Sequence, residues 1–166
     1  MECKETDMRS KLGSCQIRPA SLADVDAIYE IESKVFYSGW TRNNISSELV
    51  NNRNTEGYIL ECEGNIIGYY FGWHICEESS LNNLAIHPDA QGLGLASVLM
   101  RHFINKAQEN NTKETYLEVS TLNKKAIALY EKFGFTIVGL RENYYEKAHE
   151  DAYIMKRTEG EFMCLI

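Results

Sequence analysis

A glycine-bearing loop between a short apolar run and a long amphipathic segment is the stretch of this sequence best suited to bind a ligand. The loop, Gln91-Gly92-Leu93-Gly94-Leu95-Ala96, follows the apolar residues Leu84, Ala85 and Ile86. Glycine lets a backbone approach a ligand closely, and the first N–H groups of a helix lack intrahelical partners and carry the positive end of its dipole. The pattern predicts a pyrophosphate-binding loop. A glycine turn that binds nothing is the alternative.

A carboxylate stands in the middle of a second apolar run. In the predicted strand at residues 115–120, Leu117 and Val119 fall on one face and Glu118 on the other. A charged residue between apolar residues of a strand is uncommon unless that face of the strand is exposed to solvent or has a function. Glu118 is therefore a candidate functional residue, and a strand-face carboxylate in a salt bridge is the alternative.

Hydrophobic periodicity and capping signals define the elements that must position these residues. Ser21 followed by Asp24 predicts the start of the first helix, and Asn123 can cap the last one. Residues 141–149 are predicted to form a polar, tyrosine-bearing loop. The predicted strands are residues 16–18, 57–62, 66–75, 80–86, 115–120, 135–140 and 151–156, and the predicted helices are residues 22–36, 42–51, 94–110 and 124–133.

This order of elements predicts an α/β fold. We expect a mixed, mostly antiparallel sheet of six or seven strands with about four helices, and a parallel strand pair in a central βαβ unit around the glycine loop. The length and the 44% apolar content fit one domain with a sizeable core. We place this domain at residues 16–157, with residues 1–15 and 158–166 as terminal tails.

Composition excludes several classes of function. The net charge of −7 argues against a nucleic-acid-binding role driven by phosphate contacts, although basic peptides or amines remain suitable substrates. The five cysteines form no C-x-x-C pair and no even-numbered disulfide framework, so we expect reduced thiols in the cytoplasm. No apolar run reaches the length of a membrane span, and the N-terminus does not resemble a signal peptide.

Two blocks of the sequence, taken together, resemble the GNAT superfamily of N-acetyltransferases. The family's acetyl-CoA signature, Q/R-x-x-G-x-G/A after a strand, is present at Gln91–Ala96. The second block, Leu117–Phe135, resembles the RimI-type protein N-terminal acetyltransferases. Asn143-Tyr144-Tyr145, followed by Glu150-Asp151-Ala152, matches the same subgroup. The resemblance covers about residues 16–157 and implies a single GNAT-like domain.

The resemblance implies acetyl-CoA as the cosubstrate and no metal ion. The backbone of Leu84, Ala85 and Ile86 would pair with the pantetheine arm as an added strand does. Gln91 would begin the cofactor-binding loop. The backbone amides from Gly92 through Leu93, Gly94 and Leu95 to Ala96 would hold the pyrophosphate. Asn123 would contact the cofactor arm, and Tyr130 would lie near the thioester sulfur.

The same resemblance implies the catalytic groups. Glu118 would be the general base that takes a proton from the incoming amine, directly or through a water molecule, and Tyr130 the general acid that protonates the leaving thiolate. The alternative for Tyr130 is a core aromatic residue with its hydroxyl at the surface.

Aromatic residues on two segments are candidates for binding the acceptor. Phe36, Tyr37 and Trp40 lie in a glycine-containing loop, and Tyr144 and Tyr145 lie in the predicted loop near the C-terminus. The alternatives are that Phe36, Tyr37 and Trp40 fill the end of the core and that Tyr144 and Tyr145 pack within a hairpin. The RimI-type subgroup often has Phe-Pro after its first helix, whereas this chain lacks the proline, which leaves the exact acceptor open.

We therefore expect an enzyme that acetylates the α-amine of a protein or peptide N-terminus, with a ribosomal protein as a candidate acceptor. It would be a cytoplasmic monomer or weak dimer that binds neither nucleic acid nor membrane. Two alternatives remain, an acetyltransferase for a small amine such as a polyamine or amino sugar, and a non-catalytic acyl-CoA-binding module. The presence of both Glu118 and Tyr130 argues against the last.

Overall fold

A computed structural model of the chain describes residues 15–51, 54–145 and 148–160. In that part of the chain, seven strands and four α-helices follow the predicted order. The strands are β1 (Cys15–Pro19), β2 (Thr55–Cys62), β3 (Asn65–Ile75), β4 (Glu78–Ile86), β5 (Glu114–Ser120), β6 (Thr136–Tyr145) and β7 (Glu150–Thr158), and the helices are α1 (Val25–Val35), α2 (Arg42–Asn51), α3 (Leu95–Glu109) and α4 (Lys124–Lys132).

The strands form one mixed sheet in the order β1-β2-β3-β4-β5-β7-β6. Strand β4 runs parallel to β5, whereas β1 with β2, β5 with β7, and β6 with β7 are antiparallel. The parallel pair is joined by α3, which is the crossover connection that parallel strands require. The α/β fold class, the strand and helix count and the mixed sheet predicted from the sequence are confirmed.

Strand β6 is longer than predicted. The sequence predicts a strand that ends at Leu140 and a loop from residue 141, but Arg141 pairs with Ala152 and Tyr145 with Glu150. The register shifts between these two pairs, so a bulge lies inside the strand. Because β6 is an edge strand and most of its residues are exposed, its polar half lacks the alternation of apolar residues that would indicate a strand.

Local signals explain why the helices begin where they do. The Asp24 carboxylate accepts hydrogen bonds from the Ser21 backbone N–H (2.8 Å) and hydroxyl (2.9 Å), which anchors the 3₁₀ turn that leads into α1. Asn44 and Thr41 bond each other reciprocally at the start of α2. The first of these is the capping pair that the sequence predicts, and the second is the same kind of capping interaction.

The described part of the chain divides into two compact units, the first within residues 15–71 and 83–99 and the second within residues 72–82 and 100–160. In the first unit, the buried side chains include Ile28, Ile31 and Phe71, and Phe36 and Trp40 pack against that cluster. In the second unit, the buried side chains include Phe103, Leu117, Val119, Phe135 and Met155. The burial of Leu117 and Val119 beside the more exposed Glu118 confirms the two faces predicted for β5.

One cysteine pair is joined by a disulfide, so the expectation of reduced thiols is wrong for Cys15 and Cys62. The antiparallel register of β1 and β2 places these two residues directly opposite each other. They lie 47 residues apart in sequence, and no spacing rule connects them. Cys76 is free and exposed, and Cys3 and Cys164 lie outside the described residues.

The ordered elements extend slightly beyond the predicted domain limits of residues 16 and 157. Strand β1 begins at Cys15, β7 ends at Thr158, and the Glu159 backbone N–H donates to the carbonyl oxygen of Lys113 at 2.8 Å. Residues 1–14 and 161–166 of the predicted tails lie outside the described residues. Within the described ranges, no helix has the length and apolar character needed to cross a membrane.

Candidate functional site

The glycine loop belongs to the first unit and connects β4 to α3. Gly92 and Gly94 have φ angles of +80° and +79°, a left-handed conformation that glycine adopts without strain. A Cβ at either position would meet no atom within 4 Å, so backbone conformation, and not space, calls for glycine in this structure. The side-chain amide of Gln91 donates to the carbonyl oxygen of Ile86 at 3.0 Å and so ties the loop to the end of β4.

The start of α3 is suited to an anion. The helix begins at Leu95, immediately after the second glycine, so its first backbone N–H groups emerge at the loop. The Ser97 N–H donates to the carbonyl oxygen of Gly94 at 3.0 Å, which fixes the loop at the entrance of the helix. The residues present therefore fit a pyrophosphate, which a helix N-terminus and a glycine loop bind together.

Strand β4 ends in a segment that lies beyond its ladder with β5. The parallel register runs from Glu78 opposite Glu114 to Leu81 opposite Leu117. Leu84, Ala85 and Ile86 follow on β4 after this ladder, and the side chains of Ala85 and Ile86 are buried. A backbone edge past the end of a ladder is the feature that strand-like addition of a ligand requires.

Glu118 lies on β5 in the second unit, on the partly exposed face of the strand, with its side chain 28% exposed. Its Oε1 pairs with Nη1 of Arg141 at 2.8 Å, and its Oε2 accepts a hydrogen bond from the Tyr144 hydroxyl. The Arg141 guanidinium also lies 5.3 Å from the centre of the Tyr144 ring. The structure thus brings together one predicted catalytic residue, one predicted substrate-binding residue and Arg141.

Tyr144 and Tyr145 lie at the end of β6, and their rings meet edge to face at 5.1 Å. Burial, together with the hydrogen bond to Glu118, raises the pKa of Tyr144 to about 12. Burial raises the pKa of Tyr145 as well, and the negative charges of Glu118 and Glu150 add to that effect. Both phenols therefore stay protonated near neutral pH and can act as hydrogen-bond donors.

Tyr130 lies in the last turn of α4, is 8% exposed and packs against Phe135 with ring centres 6.1 Å apart. Burial raises the pKa of its phenol strongly, with a smaller contribution from Tyr145. Tyr145 thus interacts electrostatically with both Tyr130 and Glu118. Tyr130 therefore stays protonated near neutral pH and can offer its hydroxyl proton or a hydrogen bond to a neighbouring acceptor.

Asn123 is the N-cap of α4, and its side-chain oxygen accepts from the Ala126 backbone N–H at 3.1 Å. The capping role predicted for this residue is confirmed. The contact with a cofactor arm that the resemblance implies stays a prediction.

The loop between α1 and α2 belongs to the first unit and carries the other predicted substrate-binding residues. Tyr37 is 87% exposed, whereas Phe36 and Trp40 are partly buried against the core. The Trp40 ring lies 5.4 Å from that of Phe71. Phe36 and Trp40 therefore anchor the loop to the core, which agrees with the alternative that these residues fill the end of the core. Tyr37 is exposed to solvent.

Arg141, the partner of Glu118, is not among the functional residues predicted from the sequence. The periodicity ends strand β6 at Leu140 and so leaves Arg141 in a loop. The available signal is its place two residues before Asn143-Tyr144-Tyr145. Across the part of the chain that the structure describes, no three His, Cys, Asp or Glu residues form a group that could hold a metal ion.

Comparison with known proteins gives a consistent result. Residues 25–135 match the family model described as the Acetyltransferase (GNAT) family. A Bacillus subtilis (strain 168) protein with the provisional name ribosomal protein bS18-alanine N-acetyltransferase is 35% identical over 145 residues, which cover 87% of this chain and 96% of that protein. The ribosomal protein bS18-alanine N-acetyltransferase of Salmonella typhimurium is 32% identical over 140 residues, which cover 81% of this chain and 91% of that protein.

A solved structure agrees with these relatives. The crystal structure of the ribosomal-protein-S18-alanine N-acetyltransferase from Escherichia coli matches with a TM-score of 0.80 at 29% identity. The match covers 87% of this chain and 93% of that chain. The resemblance stated from the two sequence blocks, and the fold class that it implies, are confirmed.

Proposed function

Because this chain belongs to the acetyltransferase (GNAT) family, we propose that it transfers the acetyl group of acetyl-CoA to the α-amine of a protein N-terminus. Its relatives are named as N-acetyltransferases, and the chain is an N-acetyltransferase as they are. Their names specify the alanine of ribosomal protein bS18, and we propose an N-terminal alanine of a ribosomal protein as the acceptor here. The observation that carries this proposal is 32–35% identity over more than four-fifths of the chain.

The GNAT family uses acetyl-CoA, which supplies an activated acetyl thioester. The loop from Gly92 to Ala96 and the start of α3 support binding of its pyrophosphate. The two glycines adopt the left-handed backbone conformation, and the first N–H groups of the helix lie next to the loop. The backbone of residues 84–86 would bind the pantetheine arm beyond the end of the β4–β5 ladder. An N–H group from this strand could polarise the thioester carbonyl.

Two side chains would carry the proton transfers. Glu118 accepts the proton that the α-amine releases as its nitrogen bonds to the carbonyl carbon, directly or through a water molecule. When the C–S bond breaks, Tyr130 donates its hydroxyl proton to the departing sulfur. Glu118 then holds one proton and Tyr130 lacks one, and exchange with solvent restores both residues.

The contacts of Glu118 are compatible with this role. Each carboxylate oxygen has two acceptor sites, so the bonds from Arg141 and Tyr144 leave capacity for the proton of an amine or a water molecule. An α-amine titrates at about 7.7–8.0 and a lysine amine at about 10.4. A larger share of α-amines is therefore already neutral near pH 7, which makes an N-terminus the less demanding acceptor for such a base.

The experiment that tests the function is turnover of acetyl-CoA against a panel of amines, with the acetylated atom located by mass spectrometry. The panel contains a peptide with a free N-terminal alanine, the same peptide blocked at its N-terminus but carrying a lysine, and spermidine. We expect acetylation of the free alanine peptide alone. Turnover of spermidine alone would replace the proposal with a small-amine acetyltransferase, and acetyl-CoA binding without turnover would favour a non-catalytic acyl-CoA-binding module.

A further inference from the structure

Glu32 is a buried carboxylate that the proposed chemistry does not use. It lies on α1, beside the core residues Ile28 and Ile31, and is only 2% exposed. Burial raises the pKa of its side chain, and hydrogen bonds from Trp40 and Asn83 act in the opposite direction. A carboxylate at such a position costs free energy unless its oxygens are satisfied, so its partners indicate why it is there.

The partners of Glu32 are two neutral groups on separate elements. The Trp40 backbone N–H donates to Oε1 at 2.7 Å, and the Asn83 side-chain amide donates to Oε1 at 3.1 Å and to Oε2 at 3.0 Å. Trp40 lies in the loop between α1 and α2, and Asn83 lies on β4, directly before the segment 84–86. Among the described residues, the groups that shift the pKa of this carboxylate include no cation.

Gly39 shows that the loop lies directly on this carboxylate. A Cβ built at Gly39 would lie 2.7 Å from Cγ and 2.9 Å from Oε1 of Glu32, closer than real Cβ contacts. No larger residue fits there unless Glu32 moves. The loop, Glu32 and Asn83 therefore form one packed and hydrogen-bonded arrangement, which we call the Glu32 clamp.

We propose that Glu32 is a positioning residue for the acceptor: through the Glu32 clamp it fixes the loop of residues 36–41 in the conformation that presents Tyr37. This inference rests on the proposed function and on the prediction from the sequence that Phe36, Tyr37 and Trp40 bind the acceptor. A purely stabilising role explains the arrangement less well, because a buried carboxylate bonded to neutral donors is seldom more stable than a well-packed apolar side chain. The bond to the Trp40 backbone instead fixes a particular loop conformation.

Three substitutions and a control separate positioning from packing. Glu32→Leu keeps a side chain of similar size but removes both acceptor oxygens. Glu32→Gln keeps one acceptor for the Trp40 N–H, and the Asn83 amide can rotate to offer its oxygen to the new NH₂ group. Gly39→Ala leaves every hydrogen-bonding group present and displaces the loop from the carboxylate. Glu30→Leu removes a 63%-exposed carboxylate from the same helix, where its ion pair is with Lys34 of that helix, and is the matched control.

The first readout is independent of catalysis. Hydrogen exchange of the Trp40 amide, measured by NMR, reports directly on its bond to Glu32. We expect exchange to accelerate at least tenfold in Glu32→Leu, to change less than threefold in Glu32→Gln, and to be unaltered in Glu30→Leu. Unchanged exchange in Glu32→Leu would overturn the clamp itself.

The second readout is steady-state kinetics with the alanine peptide. We expect Glu32→Leu and Gly39→Ala each to raise the KM for the peptide about tenfold, with the KM for acetyl-CoA within about twofold of wild type. Glu32→Gln is expected to recover most of the wild-type KM. Accelerated exchange with an unchanged peptide KM would overturn the positioning role.

Failure of the proposed function and failure of the Glu32 clamp give different experimental results. If the wild-type protein acetylates no amine on the panel, the proposed function fails, while exchange of the Trp40 amide still decides whether the clamp exists. If Glu32→Leu does not fold, Gly39→Ala tests the same contact, because it retains every buried polar group. A peptide KM that stays at the wild-type value in a folded Gly39→Ala would then contradict the proposal.

Discussion

At the scale of single residues, Glu118 combines two properties that the sequence suggests as alternatives. It is a strand-face carboxylate in a salt bridge, since Arg141 lies 2.8 Å away, and it stands on the partly exposed face where an amine could reach it. An ion pair with a 52%-exposed arginine is weak in water-accessible surroundings. The salt bridge therefore orients Glu118 without excluding a catalytic role.

Replacement of Glu118 by glutamine distinguishes the two roles. Glu118→Gln removes the proton acceptor but keeps the size and one acceptor oxygen, so we expect kcat/KM for the alanine peptide to fall by about 10²–10⁴-fold. Arg141→Gln breaks the same ion pair from the other side and is expected to cost no more than about tenfold. Equal losses in both variants would mean that Glu118 acts only as an ion-pair partner.

At the scale of elements, the loop between β4 and α3 requires a positive φ angle at Gly92 and at Gly94. Both glycines adopt the left-handed backbone conformation, and both have open space where a side chain would lie. Gly64 in the turn between β2 and β3 has the same properties, with a φ of +78° and nothing within 4 Å. The hairpin turn therefore provides a control for backbone strain alone.

Substitution of these glycines separates strain from ligand binding. Gly94→Ala and Gly64→Ala should each lower the free energy of unfolding by about 1 kcal/mol, because alanine disfavours a positive φ. Only Gly94→Ala should raise the KM for acetyl-CoA, by about tenfold or more, because its methyl group would stand where a pyrophosphate approaches. Equal acetyl-CoA KM values for the two variants would contradict a phosphate-binding role.

Ion pairs of Arg18 on β1 join this strand to the turn before α1 and to β2. Asp24 is 5% exposed and accepts two hydrogen bonds from the Arg18 guanidinium, at 2.9 and 2.8 Å. The bond to Arg18, helped by Ser21, lowers the pKa of Asp24 from 3.8 to about 2, against the opposing effect of burial. Arg18 also pairs with Glu61 of β2 at 2.7 Å.

This shift in pKa predicts how stability depends on pH. Because the Asp24 pKa is lower in the folded state, its contribution to stability is present above its unfolded pKa of about 3.8 and is lost as pH falls through about 2. Arg18 is partly exposed, so we expect the contribution to be roughly 1–2 kcal/mol. Denaturant unfolding should show Asp24→Asn less stable than wild type at pH 7, with the difference shrinking toward pH 2. A difference that is independent of pH would contradict this account.

At the scale of the whole molecule, net charge is the property that acts at a distance. The chain carries a formal net charge of −7. A negative protein attracts a basic acceptor over a distance set by the ionic strength of the solution. Charge therefore favours basic peptides as acceptors, independently of the groups that perform the chemistry.

We expect this attraction to appear as a salt dependence of kcat/KM. A peptide with N-terminal alanine followed by arginines should lose several-fold in kcat/KM between about 20 mM and about 300 mM salt. The same peptide with glutamines in place of the arginines should change little. Parallel curves for the two peptides would show that net charge has no part in acceptor association.

The order of elements, the position of the glycine loop and the two faces of β5 follow from the amino-acid sequence alone. These features depend on neighbours within a few residues: Asp24 lies three positions from Ser21, and Leu117, Glu118 and Val119 alternate along one strand. Periodicity and capping are local rules, so a sequence pattern is sufficient to predict them. The two family blocks, Gln91–Ala96 and Leu117–Phe135, are recognisable for the same reason, because each is continuous in the chain.

Which distant residues meet depends on the folded chain and could not be predicted from spacing. Glu118 meets Tyr144 across 26 positions, Cys15 meets Cys62 across 47, and Glu32 meets Asn83 across 51. Strand register and helix packing create these contacts, and neither follows from local spacing. The consecutive Asn82-Asn83 in an apolar strand is a visible irregularity of the sequence, but the partner of Asn83, a buried glutamate on α1, is apparent only in three dimensions.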